Sequence, residues 1–243
     1  MKRPIIIAHR GASAYAPENT MSAFRKALSL GAEGIELDVH MTRDGHVVVI
    51  HDDKIDRTSN GKGFVKDYSL NELREFDFGS WFGKEFEGEK IPLLEDVLDL
   101  LKGWTGLLNI EIKSGPTLHS GIEEKVADII KKYDFVDYTI ISSFNHYSLV
   151  KMKKILPEVR TGVLYSEGIY EPWVYAKHVG AYAIHPSYYN IVPEIMEGCI
   201  KHGIAVNPFT VDDPDLIRKI AAAGVTGIIT NVPDVALNTL SEV

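Results

Sequence analysis

Short apolar runs alternate with amphipathic segments along almost the whole chain. The runs are rich in branched aliphatic residues and have the length of strands, and they read IIIAHR, GIELDV, LLNIEIK, YTIISSF, TGVLY, AYAIHP, IAVNPFTV and GIITN. Between most of them apolar residues recur at helical spacing, in residues 20–31, 122–133, 146–157, 192–203 and 214–224. This alternation predicts parallel strands, and about eight such units in about 250 residues predict an α/β fold of the TIM (β/α)8 barrel type. An open, doubly wound sheet is the alternative.

The first helical segment carries a signal at each end. Phe24, Ala27 and Leu28 recur at helical spacing. Gly31 suits the C-terminal cap, because glycine readily adopts the left-handed conformation found there. Asn19 suits the N-terminal cap, because its side chain can accept a hydrogen bond from the first turn.

Residues 53–92 interrupt the alternation of strands and helices. They are rich in glycine, charged residues and aromatic residues, and they show no clean period. The segment is too long for an ordinary loop. We therefore expect one barrel domain, residues 1–243, with a small insertion or cap after its second strand. The aromatic residues that would form the core of this insertion are Phe64, Phe78, Trp81, Phe82 and Phe86.

The link between the runs GIELDVHMT and VVVIHD is too short for a parallel crossover, which needs about a dozen residues. Only residues 43–46 separate them, which predicts an antiparallel hairpin. Asp44 and Gly45 suit the centre of a two-residue type I′ turn. That register places Asp38 opposite His51, whereas a three-residue loop would shift the pairing by one residue and turn His51 to the other face.

Composition narrows the range of partners. The net charge is −8, with 34 acidic and 26 basic residues, which argues against a nucleic acid or an anionic membrane as partner. A small anionic substrate in a local basic pocket stays compatible with this charge. The single cysteine, Cys199, excludes an intramolecular disulfide. The start MKRPIIIAHRG has too few apolar residues for a signal peptide or a membrane span, so we expect a cytoplasmic protein without stable membrane association.

Two strand-like runs place carboxylates on the face opposite their aliphatic residues. Side chains alternate across a strand, so Glu36 and Asp38 share one face of GIELDVHM, and Glu111 shares one face of LLNIEIK with Lys113. In a barrel the aliphatic face packs against the helices, so these carboxylates point inward. Three inward carboxylates favour a hard divalent cation, Mg²⁺ or Ca²⁺. The alternative is a buried ion network in which they pair with Arg10 and Lys113.

Two histidines and two cations follow the same strands. His9 and His51 each end an apolar run, which makes a general acid/base pair near the metal plausible. Arg10 and Lys113 are candidates for binding an anion, since a guanidinium suits phosphate oxygens and an ammonium adds a point charge. Such a set suits phosphoryl chemistry.

The remaining histidines have simpler interpretations. His185 could line the mouth of the site, although a structural role at a strand end is the simpler reading. The histidines interpreted as surface or structural residues are His40, His46, His119, His146, His178 and His202.

An ordered set of motifs resembles the glycerophosphodiester phosphodiesterase family. The motifs are HRG at 9–11, PENT at 17–20, ELDV at 36–39, HDD at 51–53, RTSNGKG at 57–63, GSWF at 79–82, IPLLEDVL at 91–98 and EIK at 111–113. Each triplet alone means little, but their order over most of the chain is specific. The resemblance implies a TIM-barrel hydrolase that uses a divalent metal and two histidines.

The resemblance assigns roles to individual positions. Its metal ligands fall on Glu36, Asp38 and Glu111, its catalytic acid and base on His9 and His51, and its phosphate contacts on Arg10 and Lys113. The chain departs from the family in NPFTVDD, at 207–213, where Phe209 stands in place of a tryptophan near the glycerol. Phenylalanine can form an apolar wall but lacks the indole N–H, which bears on substrate preference.

The expected reaction is metal-dependent hydrolysis of a small-molecule glycerophosphodiester to an alcohol and sn-glycerol 3-phosphate. The nucleophile is either the glycerol hydroxyl of the substrate, which gives a cyclic phosphate first, or water. One alternative is a phosphodiesterase of the same fold that acts on lysophospholipids. Another is a catalytically inactive phosphate-binding barrel, although none of the histidines or metal carboxylates is missing here.

Overall fold

The structure is a computed structural model that describes residues 3–113 and 120–241. His119 lies outside these residues.

Within the described residues, eight parallel strands form a nearly closed barrel, in the order β8-β7-β6-β5-β4-β2-β1-β9. The strands are β1 (Ile5–Ala8), β2 (Gly34–Met41), β3 (Val47–Val49), β4 (Leu107–Ile112), β5 (Thr139–Ser143), β6 (Arg160–Tyr165), β7 (Ala183–Pro186), β8 (Ala205–Val206) and β9 (Gly227–Thr230). The ring is completed where the Thr226 N–H donates to the Val206 carbonyl at 2.8 Å and the Ile229 N–H donates to the Pro208 carbonyl at 3.0 Å. The predicted barrel is confirmed, and the open sheet is excluded.

Helices fill the connections between the barrel strands. They are α1 (Met21–Ser29), α2 (Leu70–Leu73), α3 (Leu94–Leu100), α4 (Ile122–Lys132), α5 (His146–Ile155), α6 (Pro172–His178), α7 (Pro193–His202), α8 (Pro214–Ala222) and α9 (Pro233–Ser241). The five helical segments expected from spacing coincide with α1, α4, α5, α7 and α8 to within two residues at each end. The aliphatic strand faces are buried with these helices in one large core, and the polar strand positions face the barrel axis.

The N-terminal cap of α1 differs from the prediction by one residue. Thr20 is the cap, and its hydroxyl accepts a hydrogen bond from the Ala23 N–H at 3.3 Å. Asn19 instead adopts a left-handed conformation with a φ of 59°. Its amide donates a hydrogen bond to Asp38 Oδ2 at 2.7 Å. The Asn19 side chain therefore points into the barrel and does not cap the helix.

The β2–β3 hairpin is antiparallel as predicted, but its register differs by one residue. A three-residue loop, residues 43–45, replaces the two-residue turn, and Gly45 within it has a φ of 83°. Asp38 therefore lies opposite Ile50, whose N–H donates to the Asp38 carbonyl at 3.0 Å. The predicted pairing of Asp38 with His51 is wrong.

Contacts at the tip of the hairpin explain the longer loop. The Arg43 N–H donates to the Tyr68 carbonyl at 2.8 Å, and the Asp44 carboxylate accepts from the Leu70 N–H at 3.1 Å. These hydrogen bonds to residues 68–70 stabilise the three-residue loop. His51 still reaches the barrel mouth, because β3 ends before Ile50 and the chain then leaves the strand direction.

Residues 53–92 contain α2, two short 3-10 turns and part of a second small core. This core is largely aliphatic, and its buried members are Val48, Ile50, Ile55, Val65, Leu70, Leu73, Phe78 and Ile91. Of the five aromatic residues expected to form it, Phe78 is buried, whereas Trp81 is 40% exposed. Trp81, Phe82 and Phe86 pack edge to face on one another at the surface.

Among residues 3–113 and 120–241, no helix combines the length and the apolar character needed to cross a bilayer.

Candidate active site

The first strand delivers two side chains to the mouth of the barrel through a tight turn. His9 and Arg10 follow β1, and Arg10 adopts a left-handed conformation with a φ of 56°. Gly11 has a φ of 80°, and a Cβ there would lie 2.7 Å from the backbone carbon of Ala23, so glycine is required. The turn directs the Arg10 N–H to Glu36 Oε2 at 2.9 Å.

The three predicted metal ligands lie together. Asp38 and Glu111 are directly paired on adjacent parallel strands, and Glu36 lies two residues before Asp38 on the same face. All three are buried. One carboxylate oxygen from each lies within 4.8 Å of the others, a spacing that can hold a metal ion.

The two predicted anion-binding cations contact this cluster. Lys113 Nζ donates to Glu111 Oε1 at 2.6 Å and lies 3.5 Å from Asp38 Oδ1. Arg10 Nε lies 3.5 Å from Asp38 Oδ2. The buried ion network considered as an alternative to a metal site is therefore present in part. Arg10 and Lys113 pair with Asp38 and Glu111, whereas Glu36 accepts only the backbone N–H of Arg10 from these two residues.

The electrostatics of the cluster fit an additional cation. Burial and repulsion from Asp38 raise the pKa of Glu36 well above its usual value. Burial and Asp38 likewise raise the pKa of Glu111 to about 7, against the opposing effect of Lys113. Burial also disfavours the charge on Asp38, but Lys113 and Arg10 overcome this and hold its pKa below the usual range.

Asp38 Oδ1 is buried and has no hydrogen-bond partner among the residues that the structure describes. Oxygen ligands, an unneutralised charge and an open ligand atom suit a hard divalent cation. The residues therefore fit such an ion.

His9 is held by a neutral amide. Its Nδ1 lies 2.7 Å from Asn231 Oδ1, and the Asn231 amide nitrogen donates to Asp212 Oδ2 at 2.7 Å, which fixes the orientation of the amide. Nδ1 must therefore carry the proton, and Nε2 is left with a free lone pair. Burial, with a contribution from the charge of Arg10, lowers the pKa of His9 to about 4. The ring is neutral at pH 7.

His51 is held by a carboxylate. Its Nδ1 lies 2.6 Å from Asp52 Oδ1, and the Asp52 side chain is about one-third exposed. Burial lowers the pKa of His51, and Asp38 and Asp52 oppose this effect. The carboxylate orients the ring and stabilises its charged form, a role that an amide cannot fill as strongly.

Both histidines line one cleft, which is open to solvent. Its other lining residues are Arg10, Glu36, Asn109, Glu111, Lys113, Phe144, Leu164, Phe209, Thr210 and Ile229. Phe209 lies where an apolar wall was predicted, and its ring meets that of Phe144 edge to face at 6.0 Å. One side of the cleft is thus charged, and the other is apolar.

His185 lies apart from this cleft. It is fully buried inside the barrel, where the Asn207 amide lies 3.1 Å from its Nε2. Gly162 makes room for the ring, since a Cβ there would lie 2.6 Å from Nε2. The structural interpretation of His185 agrees with this position.

Several residues of the site were not singled out from the sequence. Asp52 carried a signal, because it directly follows His51. Asn231 follows the last strand-like run in the same way, but an asparagine there is an ordinary strand end. Phe144 carried no chemical signal, and the barrel fold brings it from the end of β5 to Phe209 beyond β8. Asn19 was assigned to a helix cap, but the pairing of β1 with β2 brings it to Asp38.

Comparisons with known proteins agree with this geometry. Residues 9–235 match the model of the glycerophosphoryl diester phosphodiesterase family. A glycerophosphodiester phosphodiesterase of Caldanaerobacter subterraneus is 51% identical over 240 residues, which cover 99% of each protein. One from Bacillus altitudinis is 40% identical over 98% of each.

Solved structures give the same result. An Oleispira antarctica phosphodiesterase in complex with the product sn-glycerol-3-phosphate superposes with a TM-score of 0.90 at 29% identity, over 98% of this chain and 97% of that one. A glycerophosphodiester phosphodiesterase from Agrobacterium tumefaciens has a TM-score of 0.86 at 32% identity, over 97% and 99%. These matches show an enzyme of the phosphoric diester hydrolase class. With its barrel and the match over nearly its whole length, the chain belongs to the glycerophosphoryl diester phosphodiesterase family.

Proposed function

We propose that this chain hydrolyses small glycerophosphodiesters to an alcohol and sn-glycerol 3-phosphate, with a divalent cation and with His9 and His51 as base and acid. The observation that carries the proposal is the convergence of both histidines and the acidic cluster on one cleft. A cleft with charged residues on one side and apolar residues on the other suits a small diester. The related Oleispira antarctica enzyme was solved with sn-glycerol-3-phosphate.

Glu36, Asp38 and Glu111 would hold the cation, which we propose to be Mg²⁺ or Ca²⁺ because the ligands are all carboxylate oxygens. When bound, such a cation supplies positive charge that stabilises the charge developing on the phosphoryl oxygens. Arg10 and Lys113 add two further cations beside the cluster. The phosphodiester is thereby held among positive charges on one side of the cleft.

We assign the base to His9. Its neutral ring presents Nε2 as acceptor, so it can remove the proton from the attacking hydroxyl, whether that belongs to the substrate's glycerol or to water. The new P–O bond forms as this proton moves to Nε2. When the glycerol hydroxyl attacks, the product is a cyclic phosphate, which water then opens to sn-glycerol 3-phosphate with the roles of the two histidines exchanged.

We assign the acid to His51. As the P–O bond to the alcohol breaks, His51 Nε2 gives its proton to the leaving oxygen, and Asp52 stabilises the ring while it is charged. An anionic phosphodiester in the cleft favours the charged ring, which opposes the effect of burial. Phe144 and Phe209 would pack against the carbon side of the glycerol.

The apolar side of the cleft favours one second candidate, a lysophospholipid diester. Phe144, Leu164, Phe209 and Ile229 form that side and could contact an acyl chain. The two candidate substrates differ in the glycerol, which carries an acyl chain in a lysophospholipid and none in a small glycerophosphodiester.

We further propose that residues 53–92 form an insertion subdomain on a single barrel domain. Six of the eight buried residues of the small aliphatic core lie within this segment, which supports the division. The residues that line the main cleft, within the described parts of the chain, all lie outside this segment.

The test of the function is a coupled assay for release of sn-glycerol 3-phosphate by the purified protein. Glycerophosphocholine, glycerophosphoethanolamine and lysophosphatidylcholine are compared at equal concentration. Glycerol 3-phosphate released from the first two supports the proposal. Turnover of the lysolipid is followed as released choline, because its other product is lysophosphatidate and not glycerol 3-phosphate. Choline released from the lysolipid alone favours the second candidate, and no product from any of the three contradicts both.

A further inference from the structure

A series of hydrogen-bonded side chains of alternating charge connects the cleft residues Arg10 and His51. Arg10 Nη1 donates to Glu18 Oε1 at 2.8 Å, and His51 Nδ1 lies 2.6 Å from Asp52 Oδ1. Between the two carboxylates lies Arg57, at the start of residues 53–92. Arg57 is not among the residues that line the main cleft in the described part of the chain.

The guanidinium of Arg57 contacts both carboxylates with two hydrogen bonds each. Its Nη1 and Nη2 donate to Glu18 Oε2 and Oε1, both at 2.8 Å. Its Nε and Nη2 donate to Asp52 Oδ2 and Oδ1, at 2.8 and 3.1 Å. Paired contacts of this kind fix direction as well as distance, and only the planar guanidinium provides them.

The backbone around Arg57 is itself fixed. Ile55 is fully buried in the small aliphatic core. Ser59 Oγ donates to the Ile55 carbonyl at 2.7 Å and accepts from the Gly61 N–H at 3.0 Å, which closes a compact turn around Arg57. The Arg57 side chain is 45% exposed, so its hydrogen bonds rather than burial hold it in place.

We propose that Arg57 is a positioning residue for the reaction: it fixes the carboxylate that orients His51 and the carboxylate that orients Arg10, and so sets the acid and the phosphate-binding side chain together. The inference rests on the proposed function for the roles of His51 and Arg10. The proposal also gives residues 53–92 a function, since they contain Arg57, which orients residues of the site without lining the cleft. A simpler role, fastening this segment to the barrel, is the competing explanation.

The two roles differ in their dependence on the leaving group. Protonation by His51 matters for an alcohol such as ethanolamine, but p-nitrophenolate leaves without a proton. Loss of alignment at His51 therefore slows glycerophosphoethanolamine and spares the p-nitrophenyl ester of glycerol 3-phosphate. Loss of alignment at Arg10 weakens binding of both esters.

The experiment compares Arg57→Met, Arg57→Lys and the control Arg43→Met with the unchanged full-length protein. Arg43 has the same side chain and similar exposure, and it pairs with Glu72 at 2.8 Å on the hairpin tip. For Arg57→Met we expect kcat for glycerophosphoethanolamine to fall about 10- to 100-fold, the lower range for general acid catalysis. We expect kcat for the p-nitrophenyl ester to stay within about threefold, with KM raised for both.

The remaining variants separate the effects of the two contacts of Arg57, with Asp52 and with Glu18. Arg57→Lys keeps the charge but not the paired bonds, so we expect it to resemble Arg57→Met. Asp52→Asn should reproduce the loss in kcat, and Glu18→Gln the rise in KM. Arg43→Met should leave both constants unchanged.

A readout independent of turnover completes the design. A short hydrogen bond between His51 Nδ1 and Asp52 predicts a strongly downfield ¹H NMR resonance in the free protein, which Arg57→Met should shift or broaden. If the unchanged protein hydrolyses no diester, the proposed function fails, and this resonance still tests the positioning. Arg57→Met with unchanged constants, or with equal loss on both esters and a lowered unfolding temperature, overturns the inference, as does an unchanged resonance.

Discussion

At the scale of single residues, the two histidines differ in the partner of Nδ1. His9 faces an amide oxygen at 2.7 Å, and His51 faces a carboxylate at 2.6 Å. An amide leaves the ring neutral, whereas a carboxylate favours the charged ring. In the mechanism that we propose, this difference divides the roles of base and acid between two side chains of the same type.

His9→Ala and His51→Ala should each lower kcat for glycerophosphoethanolamine by about 100-fold or more, since each removes one acid or base. The double variant should lose less than the product of the two, because the residues act as a unit. Steady-state kinetics measure this. If His40→Ala, at a buried residue outside the cleft lining, costs more than either, the assignment of roles is wrong.

At the scale of elements, the site depends on turns that leave their strands abruptly. Gly11 and Gly45 occupy two such turns with nearly equal backbone angles, φ of 80° and 83°. They differ in surroundings, because a Cβ on Gly11 would meet the backbone of Ala23 at 2.7 Å, whereas one on Gly45 meets nothing within 4 Å.

Gly11→Ala should therefore destabilise the protein more than its control Gly45→Ala. In both variants the free energy of unfolding falls by about 1–2 kcal/mol, because a side chain is placed in the left-handed region. Gly11→Ala loses a further amount of about 1–3 kcal/mol, because the added methyl group overpacks the turn. Denaturant unfolding measures the two free energies. Equal losses in both variants would contradict the described packing of the turn after β1.

One partly exposed carboxylate, that of Asp77, stabilises the fold of residues 53–92. Asp77 accepts backbone N–H groups from Gly79 and Ser80 at 2.8 Å each, and another from Gly88. The hydrogen bond from the Ser80 N–H contributes most to lowering the pKa of Asp77, to about 2. Because the folded pKa lies below the unfolded one, this stabilisation is present above about pH 4 and is lost as pH falls toward 2.

Asp77→Asn should accordingly lower the free energy of unfolding by about 1 kcal/mol at pH 7, a value reduced for solvent screening. The difference from the unchanged protein should shrink as the pH falls from 4 to 2. Unfolding curves across this range measure it. A difference that grows on acidification would contradict the role of the charge.

The elements with a regular pattern could be predicted from the sequence, and those set by distant contacts could not. The five helical segments follow from apolar spacing alone. The register of the β2–β3 hairpin does not, because Arg43 and Asp44 bond to Tyr68 and Leu70 of the following segment. Asn19 was expected to cap a helix, but its side chain donates a hydrogen bond to the carboxylate of Asp38 on the neighbouring strand β2.

At the scale of the whole molecule, strand parity and barrel closure together create the site. The alternation of side chains along each strand predicted which carboxylates point inward. The pairing of β2 with β4 then places Asp38 beside Glu111. The orienting residues Asp52, Arg57 and Asn231 could not be predicted in the same way. Asp52 and Arg57 lie on the connection after β3, and Asn231 follows β9. Their roles depend on contacts with His51, Glu18 and His9.

The central claim is that the acidic cluster holds a divalent cation on which hydrolysis depends. Metal-free protein is titrated with Mg²⁺, and in parallel with Ca²⁺, while heat of binding and glycerol 3-phosphate release are followed on the same sample. We predict one cation per chain, activity that rises with occupancy, and an affinity lowered at least about tenfold in Glu36→Gln. Full activity of the unchanged protein in excess chelator would contradict the account.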